Sequence, residues 1–378
     1  MNDFLGWPFY EPHHAEVRGW ADDWCAATRV DHDGNVEAEC RRLVRSLGET
    51  PLLQLVNPYS PLGYSVRSLA LVRERLAYHN GLADFAFAMQ GLGLGPVVDS
   101  GSDAQKLEWG GAVARGEAVA AFALTEPETG SDAANIAMTA TRDGAKWRLD
   151  GEKSYISNGP IADVLTVFAR TGEAEGARGL SAFLVRGDAA GLSVAERIEV
   201  IAPHPLARLR FAGVEAELIG APGEGFAIAM RTLNRFRVTV GAAALGFARR
   251  ALDEALGFST VRRLGPGTLA DNAVTQERLA EMALAIDASA LLIARAAWNN
   301  DTEAGDNRRA AAMAKLHATE AAQKVIDAAV QMHGGLGVTR GAKVEELYRD
   351  IRALRIYEGA SEVQRQIIAR DLLKERRG

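Results

Sequence analysis

The feature that most constrains this chain is a change of periodicity, from helical to strand-like near Ala118 and back to helical at Gly223. Before it, apolar residues recur at helical spacing, as in Val66, Leu69, Val72 and Leu76, and again in Leu82, Phe85, Phe87 and Met89. Gly91 to Pro96 reads as a turn, and Lys106-Leu107-Glu108-Trp109 resumes the helical pattern up to Gly116. Between 118 and 222 short β-branched and aromatic runs, such as Val164 to Phe168 and Leu180 to Val185, are separated by Asp143-Gly144, Asp150-Gly151 and Asn158-Gly159. After Gly223 long stripes return: Phe226, Met230, Leu233, Val240 and Ala244; Leu279, Met282, Ile286, Ala290 and Ile293; then Met313, Leu316, Glu320 and Lys324. The expectation is an α+β multidomain chain: an N-terminal helical domain over 1–118, a central antiparallel β-domain over 119–222 and a C-terminal helical bundle over 223–378.

Composition excludes several classes. With 48% hydrophobic and 24% charged residues, 378 residues suffice for sizeable cores, and disorder is not indicated. A net charge of −6, with acids and bases interleaved, offers no footprint for nucleic acid or a membrane surface. Cys25 and Cys40 make no ligand-spaced pair, so a reducing cytoplasm fits best. The N-terminus lacks a basic leader region, and no apolar run approaches the roughly 18 residues of a membrane span. His13, His14, His32, His79 and Cys40 form no metal constellation and read as structural or surface residues.

Candidate chemistry concentrates near the C-terminus, from Tyr348-Arg349-Asp350 to Ile356-Tyr357-Glu358-Gly359-Ala360-Ser361-Glu362-Val363-Gln364. Ser361 with Gln364 reads as a capping box opening a helix through Val363, Ile367, Ile368 and Leu372. Glu358 then sits in the preceding loop, where apolar neighbours raise its pKa and the helix N-terminus lowers it. The plain alternative is a solvated loop acid. Arg237 lies on an apolar helical stripe, so it pairs with an acid or meets an anion. Gln331-Met332-His333-Gly334-Gly335 ends a helix, its paired glycines suited to a left-handed cap.

Two further stretches carry the resemblance: Leu124-Thr125-Glu126-Pro127 with Gly130-Ser131-Asp132, and Trp147 to Gly159, which contains Lys153-Ser154-Tyr155-Ile156-Ser157. Each is also turn chemistry. Together with the Glu358 segment they resemble the signatures of the acyl-CoA dehydrogenases over nearly the whole chain. The resemblance implies a helical domain, a β-domain and a four-helix-bundle domain around FAD, with Glu358 as the base that removes the α-proton of an acyl thioester. It assigns Leu124, Thr125, Gly130, Ser131, Tyr155 and Ser157 to the flavin, with Tyr155 covering the ring where the family often has Trp. Arg262, with Arg263 as its rival, and Gln331, Gly334 and Gly335 are implied to approach the FAD of a neighbouring subunit, which implies a homodimer or homotetramer.

The same resemblance places Ala360 and Glu362 toward the cofactor, with Ala360 standing where the family has Thr. Arg237, Asn234, Ser131, Tyr357 and Gly359 fall to the substrate side, Asn234 standing where an acid is frequent. Ile201 to Arg208 lacks the Ser or Thr that helps hold coenzyme A, which leaves an acyl carrier-protein thioester as a rival substrate. A flavin monooxygenase or nitroalkane-oxidising relative normally lacks the acid at 358. A DNA-binding relative wants a basic patch that the charge disfavours. Phe85, Phe87 and Met89 align with a pocket-lining helix and equally suit a core. The implied reaction gives a trans-2-enoyl thioester, with electrons passing to an electron-transfer flavoprotein and no metal.

Overall fold

The computed structural model describes residues 3–31, 34–57, 59–144, 146–304 and 307–377; His32 lies outside them. Its helices are α1 (Pro12–Ala27), α2 (Val36–Gly48), α3 (Val66–His79), α4 (Gly81–Ser100) and α5 (Asp103–Ala114), then α6 (Gly225–Val261), α7 (Ala273–Thr302), α8 (Asn307–His333), α9 (Lys343–Leu354) and α10 (Ser361–Arg377). The strands are β1 (Ala120–Ala123), β2 (Thr139–Asp143), β3 (Lys146–Ser157), β4 (Val164–Arg170), β5 (Leu180–Arg186), β6 (Leu192–Arg197) and β7 (Leu206–Ile219), with a small hairpin of β8 (Arg263–Leu264) and β9 (Gly267–Thr268). The result is the expected order of helices, strands and helices.

These elements compact into two units that cut across chain order. The first gathers Met1–Ala26, Ser65–Asp84 and Asn234–Gly378. Its core joins Val240, Ala244, Phe247 and Ala251 of α6 to Met282, Ile286, Ala290 and Ile293 of α7 and to Ala311, Ala314, Ala318 and Ala322 of α8. The stripe expected on α7 is there. On α8 it is displaced: Met313 and Leu316 are only half-buried, and over the same turns the inward face is mostly alanine, with Lys315 and Thr319. Alanine packs helices closely yet gives a weak hydrophobic signal, so reading the larger side chains rotated the face. Gly265 turns the β8–β9 hairpin, which the sequence pattern did not announce.

The second unit comprises Ala27–Tyr64 and Phe85–Leu233. Its sheet follows the order β1-β4-β2-β3-β7-β5, with β6 on β7 and β5 also on β4. The expected antiparallel pairing holds for most of it, but β1 runs parallel to β4 from Ala120↔Val164 to Ala123↔Val167, and β2 touches β4 in parallel at one position. Asp143↔Lys146 brackets the turn at Gly144. Asp150-Gly151 is not a turn. Gly151, at φ +145°, lies in mid-strand at a register shift of β3 against β7, where a Cβ would press on Met138 at 3.0 Å.

Gly91 to Pro96 also departs from expectation, because it lies inside α4. A Cβ on Gly93 would come within 2.7 Å of the Ala121 nitrogen, and the Gly93 carbonyl accepts the Thr166 hydroxyl at 2.8 Å. Glycine here permits close approach of helix to sheet and makes no turn. The full length of α4 is thereby long and apolar enough to span a membrane, contrary to the sequence reading, yet most of it is buried within the protein. Cys40 is buried, its thiol pushed up to about 12 by desolvation, and it points at the Asn158 side-chain oxygen at 3.6 Å.

Candidate active site

Glu358 lies between α9 and α10 at φ +53°, a left-handed conformation uncommon for a non-glycine residue, followed by Gly359 at φ +93°. Three tethers hold this reversal. The Lys315 ammonium, from α8, donates to the carbonyls of Tyr357 and Gly359, both at 2.5 Å. Arg237 Nε, from α6, donates to the Glu358 carbonyl at 3.3 Å. Gln364 Nε2 donates to the Gly359 carbonyl at 2.7 Å.

Helix α10 begins at Ser361 as expected, but the capping box does not form. The Ser361 hydroxyl donates to Glu320 Oε1 at 2.5 Å, and Gln364 turns its amide to Gly359. A tertiary partner took the serine, and the turn before the helix took the glutamine. Glu320, expected on a core stripe, is instead an acceptor shared by Ser361 and Arg355.

The Glu358 carboxylate itself remains uncommitted. Its Oε2 is shielded from solvent and has no hydrogen-bond partner among the described residues. Desolvation raises its pKa against the opposing pull of Arg73, Lys315 and Arg237, so the upward effect of burial expected from the sequence prevails over these cations. Arg73 on α3 is itself occupied, donating to both oxygens of Asp84 at 2.8 Å and to the Thr239 hydroxyl at 3.0 Å. Burial lowers Lys315 to about 7 and Arg237 to about 10. Asn234 accepts from Arg237 Nη1 at 2.5 Å. Tyr357 is 37% exposed, and Ala360 and Glu362 flank the first turn of α10, Glu362 pointing outward near Arg365.

A second group lies on the other unit. Leu124 and Thr125 are half-buried just after β1, Gly130 and Ser131 are exposed, and Tyr155 and Ser157 sit at the end of β3. Tyr155 is held at φ +55° where β3 shifts register against β7, with 63% of its surface exposed. Beneath them is a buried pair to which sequence reasoning assigned no role. Lys153 Nζ donates to Glu126 Oε1 at 2.8 Å and to the Leu124 carbonyl at 3.0 Å. Glu126 also accepts the Ala137 and Met138 amides at 2.6 and 3.0 Å. The Ser154 amide donates to the Thr125 carbonyl at 2.9 Å. This surface fits a planar, phosphate-bearing cofactor: an outward aromatic ring and a row of hydroxyls stand on a loop whose Glu126 is paired with Lys153 below it.

A third group stands apart from Glu358. Gln331, Gly334 and Gly335 are exposed at the far end of α8, about 24 Å along the helix from Lys315 at 1.5 Å per residue. Gly334, at φ +59°, supplies the left-handed residue expected after α8. Arg262 and Arg263 are exposed just past α6, and the stacking of Phe258 on His333, with centroids 4.3 Å apart, brings this end of α6 to the glycines. Of the remaining expectations, Phe87 is core at 1% exposure, whereas Phe85 is half-buried and packs on His204 at 4.4 Å. No trio of His, Cys, Asp or Glu suited to a metal ion occurs among the described residues.

An uncommitted, partly desolvated carboxylate on a strained loop, lined by cations, is the arrangement of a general base. Comparison with known proteins identifies the family. Residues 121–214 match the acyl-CoA dehydrogenase middle domain, and residues 223–373 match the acyl-CoA dehydrogenase C-terminal domain. The short-chain specific acyl-CoA dehydrogenase of Sus scrofa mitochondria is 37% identical over 88% of this chain and 83% of its own. The 3-(aryl)acrylate reductase of Clostridium sporogenes is 33% identical over 97% of this chain and 100% of its own. Butyryl-CoA dehydrogenase from Megasphaera elsdenii superposes with a TM-score of 0.89 at 28% identity, covering 96% of this chain and 98% of that one. The chain belongs to the acyl-CoA dehydrogenase family, whose members are FAD-dependent oxidoreductases.

Proposed function

We propose that this protein is an FAD-dependent dehydrogenase that converts an acyl-CoA thioester to the trans-2-enoyl-CoA, with Glu358 as the base. The observation that carries the reading is the Glu358 carboxylate, held on a left-handed turn beside Lys315 and Arg237 with Oε2 unpartnered among the described residues. Burial strengthens the base, and the surrounding cations favour its ionised form, the one that accepts the α-proton. Leu124, Thr125, Gly130, Ser131, Tyr155 and Ser157 would hold FAD, with Arg262, Gln331, Gly334 and Gly335 serving the cofactor of a second subunit in a homodimer or homotetramer. Bound FAD would supply the acceptor for the β-hydride. An electron-transfer flavoprotein as the onward acceptor and a cytoplasmic location complete the proposal.

Glu358→Gln tests it, because the amide keeps shape and removes the proton acceptor. The expected result is flavin reduction by substrate slowed about 10²–10⁴-fold, with FAD content and substrate-analogue binding nearly unchanged. Flavin reduction at the wild-type rate in Glu358→Gln would refute the assignment. The aryl-acrylate reductase relative makes saturation of a conjugated double bond the second reading. Anaerobic reoxidation of the reduced enzyme by a 3-aryl-acrylate, faster than by enoyl-CoA, would favour it.

A further inference from the structure

Proton abstraction by Glu358 gives Lys315 no task. A lysine at 1% exposure normally pairs with a carboxylate. Lys315 instead directs two short hydrogen bonds to the carbonyls of Tyr357 and Gly359, the residues on either side of Glu358. The next carboxylate along α8, Glu320, is taken by Arg355 and Ser361.

We propose that Lys315 is the positioning residue of this active site: it clamps the carbonyls of the two residues that flank Glu358, fixing the left-handed turn that presents the carboxylate and setting a cation beside it. The proposal rests on Glu358 being the base. An amine suits the task because one compact head reaches both carbonyls from a single point on α8. The clamp also explains why a non-glycine residue persists at φ +53°: tethers on both sides over-determine the turn. Because the ammonium is drawn to the backbone, its charge supports the carboxylate without neutralising it in a direct pair.

The charged groups facing Glu358 come from every element around it: Arg73 on α3, Asp84 on α4, Arg237 on α6 and Lys315 on α8, with Arg308 acting on Arg237. Arg73 is bound to Asp84 and Arg237 to Asn234 and the Glu358 carbonyl. Removing the Lys315 charge therefore leaves the carboxylate less supported, and its proton is lost only at higher pH.

The experiment compares wild type, Lys315→Met, Lys315→Arg and Glu358→Gln, each as FAD-loaded protein. It follows the pH profile of flavin reduction and, independently of turnover, the infrared carboxylic-acid band that Glu358→Gln removes. Lys315→Met is expected to lower the rate about 10²-fold through misplacement of the base. It should also move both the acid limb and the infrared titration upward by about one pH unit or more. Lys315→Arg, which retains the cation but not the two-carbonyl geometry, should keep the limb near wild type while losing rate. A structural role alone would lower the rate at every pH without moving the limb, and that result overturns the proposal. If Lys315→Met does not fold, Lys315→Arg decides: wild-type rate overturns the clamp, and reduced rate with an unmoved limb supports it. A Glu358→Gln enzyme that stays active refutes the base itself, whereas an inactive Glu358→Gln beside an unaltered Lys315→Met refutes only the role of Lys315.

Discussion

Two carboxylates of this protein each sit near a buried lysine, and they have opposite fates. Glu126 is fully satisfied, with Oε1 accepting from Lys153 and the Met138 amide and Oε2 from the Ala137 amide. Glu358 lies near Lys315, but the ammonium turns to carbonyls and one carboxylate oxygen is left without a partner among the described residues. The first arrangement satisfies every group and serves as a foundation under the loop from Leu124 to Ser131. The second keeps a reactive group uncommitted, as a base must be. A buried acid–lysine neighbourhood is therefore structural or chemical according to where the lysine directs its hydrogen bonds.

The contrast can be broken most forcefully at Lys153. Lys153→Met leaves Glu126 charged and buried without its cation, and unfolding in urea should show a loss of about 3–5 kcal/mol. An unchanged midpoint would mean that the pair is not a foundation. At Glu358 the sign reverses, since Glu358→Gln removes a poorly satisfied charge and should leave stability the same or raise it by about 1 kcal/mol.

The pH dependence sharpens this second expectation. The folded state raises the Glu358 pKa above the ordinary value of 4.5, so the native protein binds the proton more tightly than the unfolded chain. Its contribution favours folding at low pH and is lost as pH rises from 4.5 through the raised value. Stability of Glu358→Gln relative to wild type should accordingly increase between about pH 4 and about pH 7. A difference that shrinks over that range would show that the cations outweigh burial.

Smaller effects probe the two turns. Gly359→Ala forces a side chain into φ +93° with its Cβ 2.6 Å from Gln364 Nε2, at a cost of about 1–3 kcal/mol in stability. Full stability and rate in that variant would show that the turn adapts freely. Tyr155→Ala should weaken FAD binding by about 0.5–1.5 kcal/mol while leaving the Glu126–Lys153 pair intact. Titration calorimetry with FAD checks it, and unaltered affinity would remove Tyr155 from the cofactor surface.

Much of this was legible in the sequence. Period changes near Ala118 and Gly223 announce the order of helices, strands and helices because local backbone preference and side-chain alternation act over a few residues. The stripe of α7 was readable because Met282, Ile286 and Ile293 are large enough to mark the inward face. Glu358, Arg237 and the Leu124 to Ser131 loop stood out by residue type in motif context.

Tertiary structure decided what those residues do to one another. Sequence offered a capping box at Ser361 and Gln364, but Glu320 and Gly359 lay closer to their side chains and took their hydrogen bonds. It offered a turn at Gly91 to Pro96, but the approach of α4 to β1 absorbed the glycines into a helix. It could not identify Lys315, because alanines carry the core face of α8 and the partners of Lys315 are backbone carbonyls 42 and 44 residues away. Local pattern fixes the order of helical and strand-rich segments, whereas burial, shared partners and charge balance arise only when distant segments meet.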